Sequence, residues 1–127
     1  MKKGYKQNVG EMGEQTAVEF LKKKGYEILE RNYRFQRGEI DIIAQKEEEI
    51  VFIEVKTKMR GAFGEPEDRV GITKQRQIAR VAMGYLQAKN IFNVNCRFDV
   101  ISVTGVNREV YHIKDAFWLE DKDIDFK

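Results

Sequence analysis

The sequence predicts an α/β fold in which a mixed central β-sheet of about five strands is flanked by α-helices. Several segments alternate apolar and polar residues with the period of two that is typical of β-strands, whereas two others carry apolar residues at helical spacing. At 127 residues, without internal repeats or a linker, the chain has the length of one domain with its own core. We therefore expect a single domain over residues 1–127.

Residues 38–58 predict a β-hairpin around which the rest of the domain is arranged. Apolar and polar residues alternate in both arms, and a two-residue turn at Glu47-Glu48 sets the register between them. A longer loop would shift this pairing. In the predicted register one face is wholly apolar, as burial against a core requires. Its cross-strand pairs are Ile40 with Val55, Ile42 with Ile53 and Ala44 with Val51.

The other face of this hairpin carries charged residues. Asp41 stands directly opposite Glu54, and Glu39 faces Lys56. Two opposed carboxylates, with Cβ atoms roughly 4.5–5.5 Å apart, destabilise a sheet unless a cation lies between them. A divalent metal ion is the natural candidate. Glu39 and Lys56 can alternatively form a cross-strand ion pair of small consequence.

A helix is predicted over residues 10–24, after a loose basic arm at residues 1–9. The apolar stripe of this helix, extended back by one turn, reaches Glu14. A carboxylate that points towards the core needs a cationic or hydrogen-bonding partner. The alternative is that Glu14 lies at the edge of the stripe and reaches water near the start of the helix.

The remaining elements complete the sheet and supply a second helix. Thr73 caps that helix and Gln75 lies at its core-facing edge. Arg97 and Asp99, on one side of a later strand, suit a plain surface ion pair. The elements are an extended segment at 26–35, a turn at Gln36-Arg37-Gly38, a loop at 59–65, a helix at 73–89, strands at 96–104 and 109–113, and a solvated acidic tail at 119–127.

Composition excludes several kinds of site. One cysteine rules out an internal disulfide, and with one histidine it leaves too few ligands for structural zinc or a Cys-His nucleophile, so a bound metal would have oxygen ligands. No apolar run approaches the roughly 18–20 residues that cross a bilayer, and the Met-Lys-Lys start lacks the apolar stretch of a secretory signal. We expect a soluble cytoplasmic protein with no membrane partner.

Basic residues predominate in the first two-thirds of the chain. Residues 1–90 hold 18 Lys and Arg against 14 Asp and Glu, whereas the remainder holds 5 against 7. This excess is a mild indication of nucleic-acid binding. The recurring basic side chains either contact phosphates or form an ordinary solvated face. The nucleic-acid contacts that we predict are Arg34, Arg37, Lys58, Arg60, Lys74 and Arg76.

An acid on one strand and Glu-x-Lys on its neighbour supply the parts for metal-assisted phosphodiester hydrolysis. Asp41 and Glu54 would hold Mg²⁺ or Mn²⁺, with the Val55 carbonyl as a further oxygen ligand and waters completing the octahedron. Such an ion polarises a phosphate oxygen and lowers the pKa of a bound water. Lys56 would orient that water or stabilise the developing negative charge.

Six short segments, spread over most of the chain, form a recognisable set. They are Gly10-x-x-Gly13-Glu14, Lys24-Gly25-Tyr26, Arg31-Asn32-Tyr33, Gly38-Glu39-Ile40-Asp41, Phe52-Ile53-Glu54-Val55-Lys56 and Arg97-Phe98-Asp99-Val100. Together they resemble the YraN family, which is similar to the archaeal Holliday-junction resolvases of the restriction-endonuclease-like, PD-(D/E)xK, superfamily. The resemblance implies a restriction-endonuclease-like mixed sheet flanked by helices.

The resemblance also implies roles for individual residues. By position, Asp41 matches the metal-binding aspartate of the superfamily, and Glu54 and Lys56 match its E-x-K motif. Glu14 matches an acid on the first helix of resolvase-like members, which makes it a third metal ligand.

Two positions depart from the pattern of related nucleases. Gln75 lies roughly where some of them place a helix glutamine, but the tyrosine that follows four residues later is Ala79 here. The proline that precedes the metal-binding aspartate is replaced by Ile40, as is common in the resolvase-like branch. Gln75 therefore matches the pattern of related nucleases only in part.

Three hypotheses about function follow. The first is a DNA endonuclease that depends on Mg²⁺ or Mn²⁺ and acts on branched or otherwise non-standard DNA, as a homodimer because resolvase-like relatives cut paired strands symmetrically. The second is a non-catalytic nucleic-acid-binding or accessory protein that keeps the carboxylates for structure. The third is a surface ion-pair network without any ligand, because the spacing of Asp41, Glu54 and Lys56 also arises by chance.

Overall fold

The computed structural model of the chain describes residues 5–59 and 62–118. Two helices and five strands make up these parts of the chain, with one short 3-10 turn before the second helix. In chain order the elements are α1 (Tyr5–Lys23), β1 (Glu27–Phe35), β2 (Gly38–Lys46), β3 (Glu49–Lys58), the 3-10 turn (Pro66–Asp68), α2 (Ile72–Ala88), β4 (Asn95–Thr104) and β5 (Val110–Phe117).

The five strands form one mixed sheet in the order β1-β2-β3-β4-β5. β3 and β4 are parallel, and the other neighbouring pairs are antiparallel. A parallel pair needs a long crossover connection, which α2 supplies between β3 and β4. The predicted α/β class, with a mixed sheet of five strands flanked by helices, is confirmed.

Each helix covers one face of the sheet. We call the face of the sheet that α1 covers the α1 face, and the opposite one the α2 face. α1 packs Ala17, Val18 and Leu21 against the first, and α2 packs an apolar stripe against the second. Glycine at position 38 allows α2 to approach β2 closely, because a Cβ there would lie 2.5 Å from Cγ2 of Val81. Neither helix of the described chain is long and apolar enough to cross a bilayer.

The hairpin register predicted from the sequence is confirmed from the turn as far as the pair Ile42–Ile53. Beyond that pair the ladder between β2 and β3 ends, and the alternation along β2 changes. Ile42 is buried on the α1 face, but Ile40 is buried on the α2 face. The predicted pairing of Ile40 with Val55 on one apolar face is therefore wrong, because the two strands separate before they reach it.

Several element boundaries differ from the predictions. α1 begins at Tyr5, so residues 5–9 are helical and not a loose arm, since nothing in this stretch breaks a helix. Gly71, with an extended backbone, is the N-cap of α2 in place of the predicted Thr73. β5 continues to Phe117, past an irregularity in its pairing with β4. The rest of the predicted arm (1–4) and the acidic tail (119–127) lie outside the described residues.

Candidate metal and nucleic-acid site

The separation of β2 from β3 creates a fork, and Asp41 lies in it. The Asp41 carboxylate accepts a hydrogen bond from the backbone N–H of Val55, with 2.8 Å between Oδ2 and N. A side chain thus fills a position that a backbone carbonyl occupies elsewhere in a ladder. Because this bond holds the carboxylate between the strands, Asp41 can face groups from both sides of the sheet.

Glu54 meets Asp41 from the α2 face of β3. Its side chain is 12% exposed and shares a hydrogen bond with the Asp41 side chain. Desolvation and the nearby Asp41 charge raise the pKa of Glu54 to about 8, and the positive charges of Lys74 and Lys56 only partly oppose this rise. Two carboxylates that share a hydrogen bond need one proton between them, or a cation in place of that proton.

Glu14 approaches Asp41 from the other side, on α1. Gly13 makes this approach possible, because a Cβ at that position would collide with the Thr57 side chain on β3. Burial and the charge of Asp41 raise the pKa of Glu14, while a hydrogen bond from Asn32 opposes the rise. Glu14 is half-buried, which fits both the inward orientation and the position at the edge of the stripe, and Asn32 is its hydrogen-bonding partner.

The donor set at the fork suits a hard divalent cation, since it consists of carboxylate oxygens without nitrogen or sulfur. Asp41 and Glu54 already face each other and would hold such an ion as a pair. Within residues 5–59 and 62–118, however, no three Asp, Glu, His or Cys side chains gather closely enough to bind one ion as they stand. The roles of Glu14 and of the Val55 carbonyl as further ligands stay predictions.

Two lysines lie beside the carboxylate pair. Lys56, two residues after Glu54 on β3, contributes positive charge to it. Lys74, in the first turn of α2, brings its Nζ atom to 4.0 Å from Oε2 of Glu54 and also donates a hydrogen bond to Gln77. The sequence predicted Lys74 as a nucleic-acid contact, and the structure brings it to the carboxylates themselves.

The other predicted nucleic-acid contacts differ in their surroundings. The Arg34 side chain is exposed and pairs with Glu39, at 3.4 Å between Nε and Oε2, so Glu39 does not face Lys56 as predicted. Arg37 is exposed at the tip of the β1–β2 hairpin, and Arg76 is exposed on α2. Arg60 lies outside the described residues.

Lys58 has a structural role, and its predicted contact with nucleic acid stays a prediction. Its side chain is only 10% exposed, and its Nζ atom lies 3.3 Å from both carboxylate oxygens of Asp68. Asp68, which is 1% exposed, also accepts hydrogen bonds from Ser102 and from the backbone of the 62–65 loop. This cluster ties residues 62–68 to the end of β3, so the Lys58 ammonium is held in the protein interior.

Gln75 lies in the first turn of α2, one residue after Lys74. Its carboxamide donates a hydrogen bond of 2.7 Å to the carbonyl of Val70 and lines a cavity beside the fork. Its position at the core-facing edge of the helix matches the prediction. Its predicted catalytic role stays a prediction.

A second cluster of charges lies on the α1 face, where the sequence predicted only a surface ion pair between Arg97 and Asp99. Asp99 is 1% exposed and accepts hydrogen bonds from Arg97, His112 and the backbone N–H of Asp115. Arg97 also donates to Glu49 and to the Tyr26 hydroxyl. We call these five side chains, Tyr26, Glu49, Arg97, Asp99 and His112, the Asp99 cluster.

Sequence reasoning missed two features of the fork. Asn32, the hydrogen-bonding partner of Glu14, has a positive φ of 51°, a conformation that asparagine tolerates better than most residues. An asparagine in the middle of a predicted strand was the available signal, because that residue type is disfavoured in strands. The contact between Lys74 and Glu54 had no such signal, since it depends on how α2 packs against β3.

Comparisons with known proteins identify the family. The model of "Uncharacterised protein family UPF0102" matches residues 13–103. A UPF0102 protein of Clostridium perfringens is 46% identical over 119 residues, covering 91% of this chain and 98% of that protein. One of Caldicellulosiruptor saccharolyticus is 48% identical over 116 residues, with coverages of 88% and 98%.

Among solved structures, SfsA of Pyrococcus furiosus in complex with Ca²⁺ overlaps with a TM-score of 0.35 at 13% identity, over 90% of this chain and 65% of that one. This overlap is too loose to transfer residues between the two proteins. The similarity to whole-length relatives is close, by contrast, and it agrees with the six segments quoted above. The chain therefore belongs to the UPF0102 family, which is the YraN family.

Proposed function

We propose that the protein is a metal-dependent DNA endonuclease that hydrolyses phosphodiester bonds in branched or otherwise non-standard DNA, and that its fold is of the restriction-endonuclease-like kind. The observation that carries the proposal is the hydrogen bond shared by Asp41 and Glu54 at the fork between β2 and β3. A protein gains nothing structurally from two opposed carboxylates with incomplete compensation, whereas a divalent cation makes the same pair favourable.

Asp41 and Glu54 would hold Mg²⁺ or Mn²⁺, and Glu14, whose carboxyl is affected by the charge of Asp41, would be a third ligand. The bound ion supplies Lewis acidity to a phosphate oxygen and acidity to a water. Val55 keeps the Asp41 carboxylate in place through its N–H, and Asn32 orients Glu14. Lys56 donates to the attacking water or to the oxygen on which charge develops.

Basic side chains around the fork would position the DNA backbone. The β1–β2 hairpin carries Arg34 and Arg37, and its turn is tied to α2, because Gln77 and Arg80 donate hydrogen bonds to the turn carbonyls. Arg76 is exposed on the same helix, and Lys74 is beside Glu54. A homodimer would present two such sites to the paired strands of a junction.

The test is cleavage of four-way junction, flap, single-stranded and duplex DNA with Mg²⁺ or Mn²⁺. We expect wild type to cut at least one branched substrate, and Asp41→Asn to lose cleavage while it retains DNA binding. Glu48→Gln, an exposed acid in the β2–β3 turn, is the matched control and should cut like wild type. The absence of cleavage in every substrate, with either ion and at enzyme excess, contradicts the proposal.

A second candidate is a nucleic-acid-binding protein without catalysis. It is favoured by the absence, among the described residues, of three ligand side chains around one point. In that case Asp41→Asn changes the free energy of unfolding and leaves every DNA-dependent measurement unchanged. Calorimetric titration with Mn²⁺ separates the candidates, because heat of binding that is lost in Asp41→Asn is expected only for the metal-dependent enzyme.

A further inference from the structure

A cavity of about 480 Å³ lies on the α2 face of the sheet, between the 64–70 loop, the start of α2 and strand β5. This volume falls within the range of about 300–1,000 Å³ that small-molecule sites occupy. Its lining includes Val70, Gln75, Val100, Tyr111, Ala116 and Phe117. Neither the carboxylate pair nor the Asp99 cluster uses this cavity.

The cavity adjoins the carboxylate pair. Val100, part of its lining, is the direct neighbour of Glu54 in the parallel pairing of β3 with β4. Paired residues of adjacent strands present their side chains on the same face, only about 5 Å apart. On α2, Gln75 follows Lys74, whose ammonium approaches Glu54. A group bound at the fork therefore lies close to one wall of the cavity.

The chemistry of the lining suits a flat heterocycle with polar edges. Apolar and aromatic side chains share the walls with polar ones, and the Tyr111 ring stacks on Phe63 with centroids 5.2 Å apart. Two carboxylates, Glu65 and Asp68, also line the cavity, and the Lys58 ammonium pairs with both. Gln75 donates through Nε2 to the Val70 carbonyl, which leaves its Oε1 as an acceptor for a base edge. Arg69 also lines the cavity and is exposed, so it can meet a backbone phosphate.

We propose that this cavity receives one unpaired nucleobase of the DNA strand whose backbone lies at the Asp41–Glu54 pair. This inference rests on the proposed function and names its substrate class: strands with an unpaired base beside the cleaved phosphate. A base inside a duplex is held by stacking and pairing and has to leave the helix before it can enter a protein pocket. An unpaired base at a flap or junction enters without that cost.

The experiment scans the fluorescent base 2-aminopurine along the unpaired arm and branch point of a flap substrate. Binding is measured in Ca²⁺, which shares the preference of Mg²⁺ for oxygen ligands with looser geometry. We expect emission to change at one position next to the branch, and an abasic site there to weaken binding about 10-fold, which is the scale of one protein–base contact.

Two variants probe the cavity itself. Ala116→Leu fills it, and Gln75→Leu removes the carboxamide while leaving the volume open. Both should lose the emission change, whereas Ala88→Leu, an exposed position at the end of α2, should keep it. Thermal unfolding of each variant checks its fold, and if Ala116→Leu does not fold, Gln75→Leu alone decides.

The outcomes separate this inference from the proposed function. A position-specific emission change that the cavity variants lose supports the inference, whether or not the DNA is cut. DNA that is bound and cut without any such change overturns the inference and leaves the nuclease standing. Binding of the base without cleavage by any ion overturns the nuclease alone, and the absence of DNA binding overturns both.

Discussion

Two clusters of acidic side chains in the same sheet have opposite electrostatic designs. In the Asp99 cluster, one buried carboxylate receives hydrogen bonds from Arg97, His112 and a backbone N–H, each between 2.7 and 3.0 Å. At the fork, Asp41 and Glu54 face each other, and the closest ammonium to Glu54 among the contacts described is 4.0 Å away. The acid of the first cluster is fully hydrogen-bonded, whereas the positive charges near the second only partly balance its two carboxylates.

The pKa values of the two clusters express this difference. Burial by itself would raise the pKa of Asp99, but its hydrogen bonds with His112 and Arg97 lower it below the usual range. At the fork, burial and like charge act in the same direction and raise the pKa of Glu54 to about 8. Perturbed pKa values of this second kind cluster at functional sites, which agrees with the proposed metal site at the fork.

The largest expected effect comes from breaking the complete cluster. Asp99→Ala should lower the free energy of unfolding by about 3–5 kcal/mol, because it leaves the Arg97 guanidinium largely buried without its main partner. Urea unfolding measures the change. Glu109→Gln, an exposed acid just before β5, is the matched control and should stay within about 0.5 kcal/mol of wild type.

The same comparison applies to Asp41→Asn, which keeps an acceptor for the Val55 N–H while it removes the charge at the fork. We expect this variant to be as stable as wild type or more stable. A loss as large as that of Asp99→Ala would show that the fork is also a structural cluster.

The next effect is the dependence of the free energy of unfolding on pH. The pKa of Glu54 is 4.5 when unfolded and about 8 when folded, so the folded state holds an extra proton between these values. Its contribution to stability is full below pH 4.5 and is lost as pH rises through about 8. Urea unfolding between pH 5 and 9 should show this decline.

Mn²⁺ should cancel the decline, because it replaces the shared proton. At 100 times its dissociation constant it should add about 2.7 kcal/mol at pH 8, and Asp41→Asn should abolish this gain.

The Asp99 carboxyl affects stability on the acid side of the pH profile. Its pKa is lowered in the folded protein, so its stabilisation is present above pH 3.8 and is lost as pH falls through its folded pKa.

A smaller effect tests how α1 is held against the fork. Gly13→Ala should cost about 1–3 kcal/mol, because the new Cβ collides with Thr57 and pushes α1 away. Gly10→Ala, three residues earlier on α1, meets nothing within 4 Å and should stabilise the helix by about 0.5–1 kcal/mol. Equal effects of the two substitutions in urea unfolding would contradict the close packing at Gly13.

The smallest effect is expected at Lys74. Its ion pair with Glu54 is long and its side chain is 40% exposed, so Lys74→Gln should lower stability by only about 0.5 kcal/mol. If this lysine also contacts a DNA phosphate, the substitution should reduce the slope of log binding constant against log salt concentration by about one. Lys22→Gln, exposed on α1, is the control and should change neither measurement.

Much of the fold follows from patterns that short stretches carry. Alternation and the two-residue turn predicted the β2–β3 register, since both are local properties of the hairpin. The helical spacing predicted the buried stripe of α1, with Ala17, Val18 and Leu21, for the same reason. These inferences hold because each residue is judged against neighbours a few positions away.

The rest depended on packing between distant segments. The network around Asp99 joins residues from four parts of the chain, so its two nearest members alone suggested a surface ion pair. The burial of Lys58 against Asp68 could not be predicted, because it depends on the path of the 62–68 loop. The end of the β2–β3 ladder at Ile42 could not be predicted either, because the Asp41 side chain replaces a backbone acceptor there.

The bond from Val55 to Asp41 makes one backbone amide a reporter of the whole fork. Its proton lies against the Asp41 carboxylate, which shares a hydrogen bond with Glu54, so it is close to both a bound cation and the shared proton. The ¹⁵N–¹H resonance of Val55 should therefore move on titration with Mg²⁺ or with base, while amides within the continuous ladder, such as that of Phe52, stay in place. One spectroscopic signal from an unmodified protein then follows both events without any DNA.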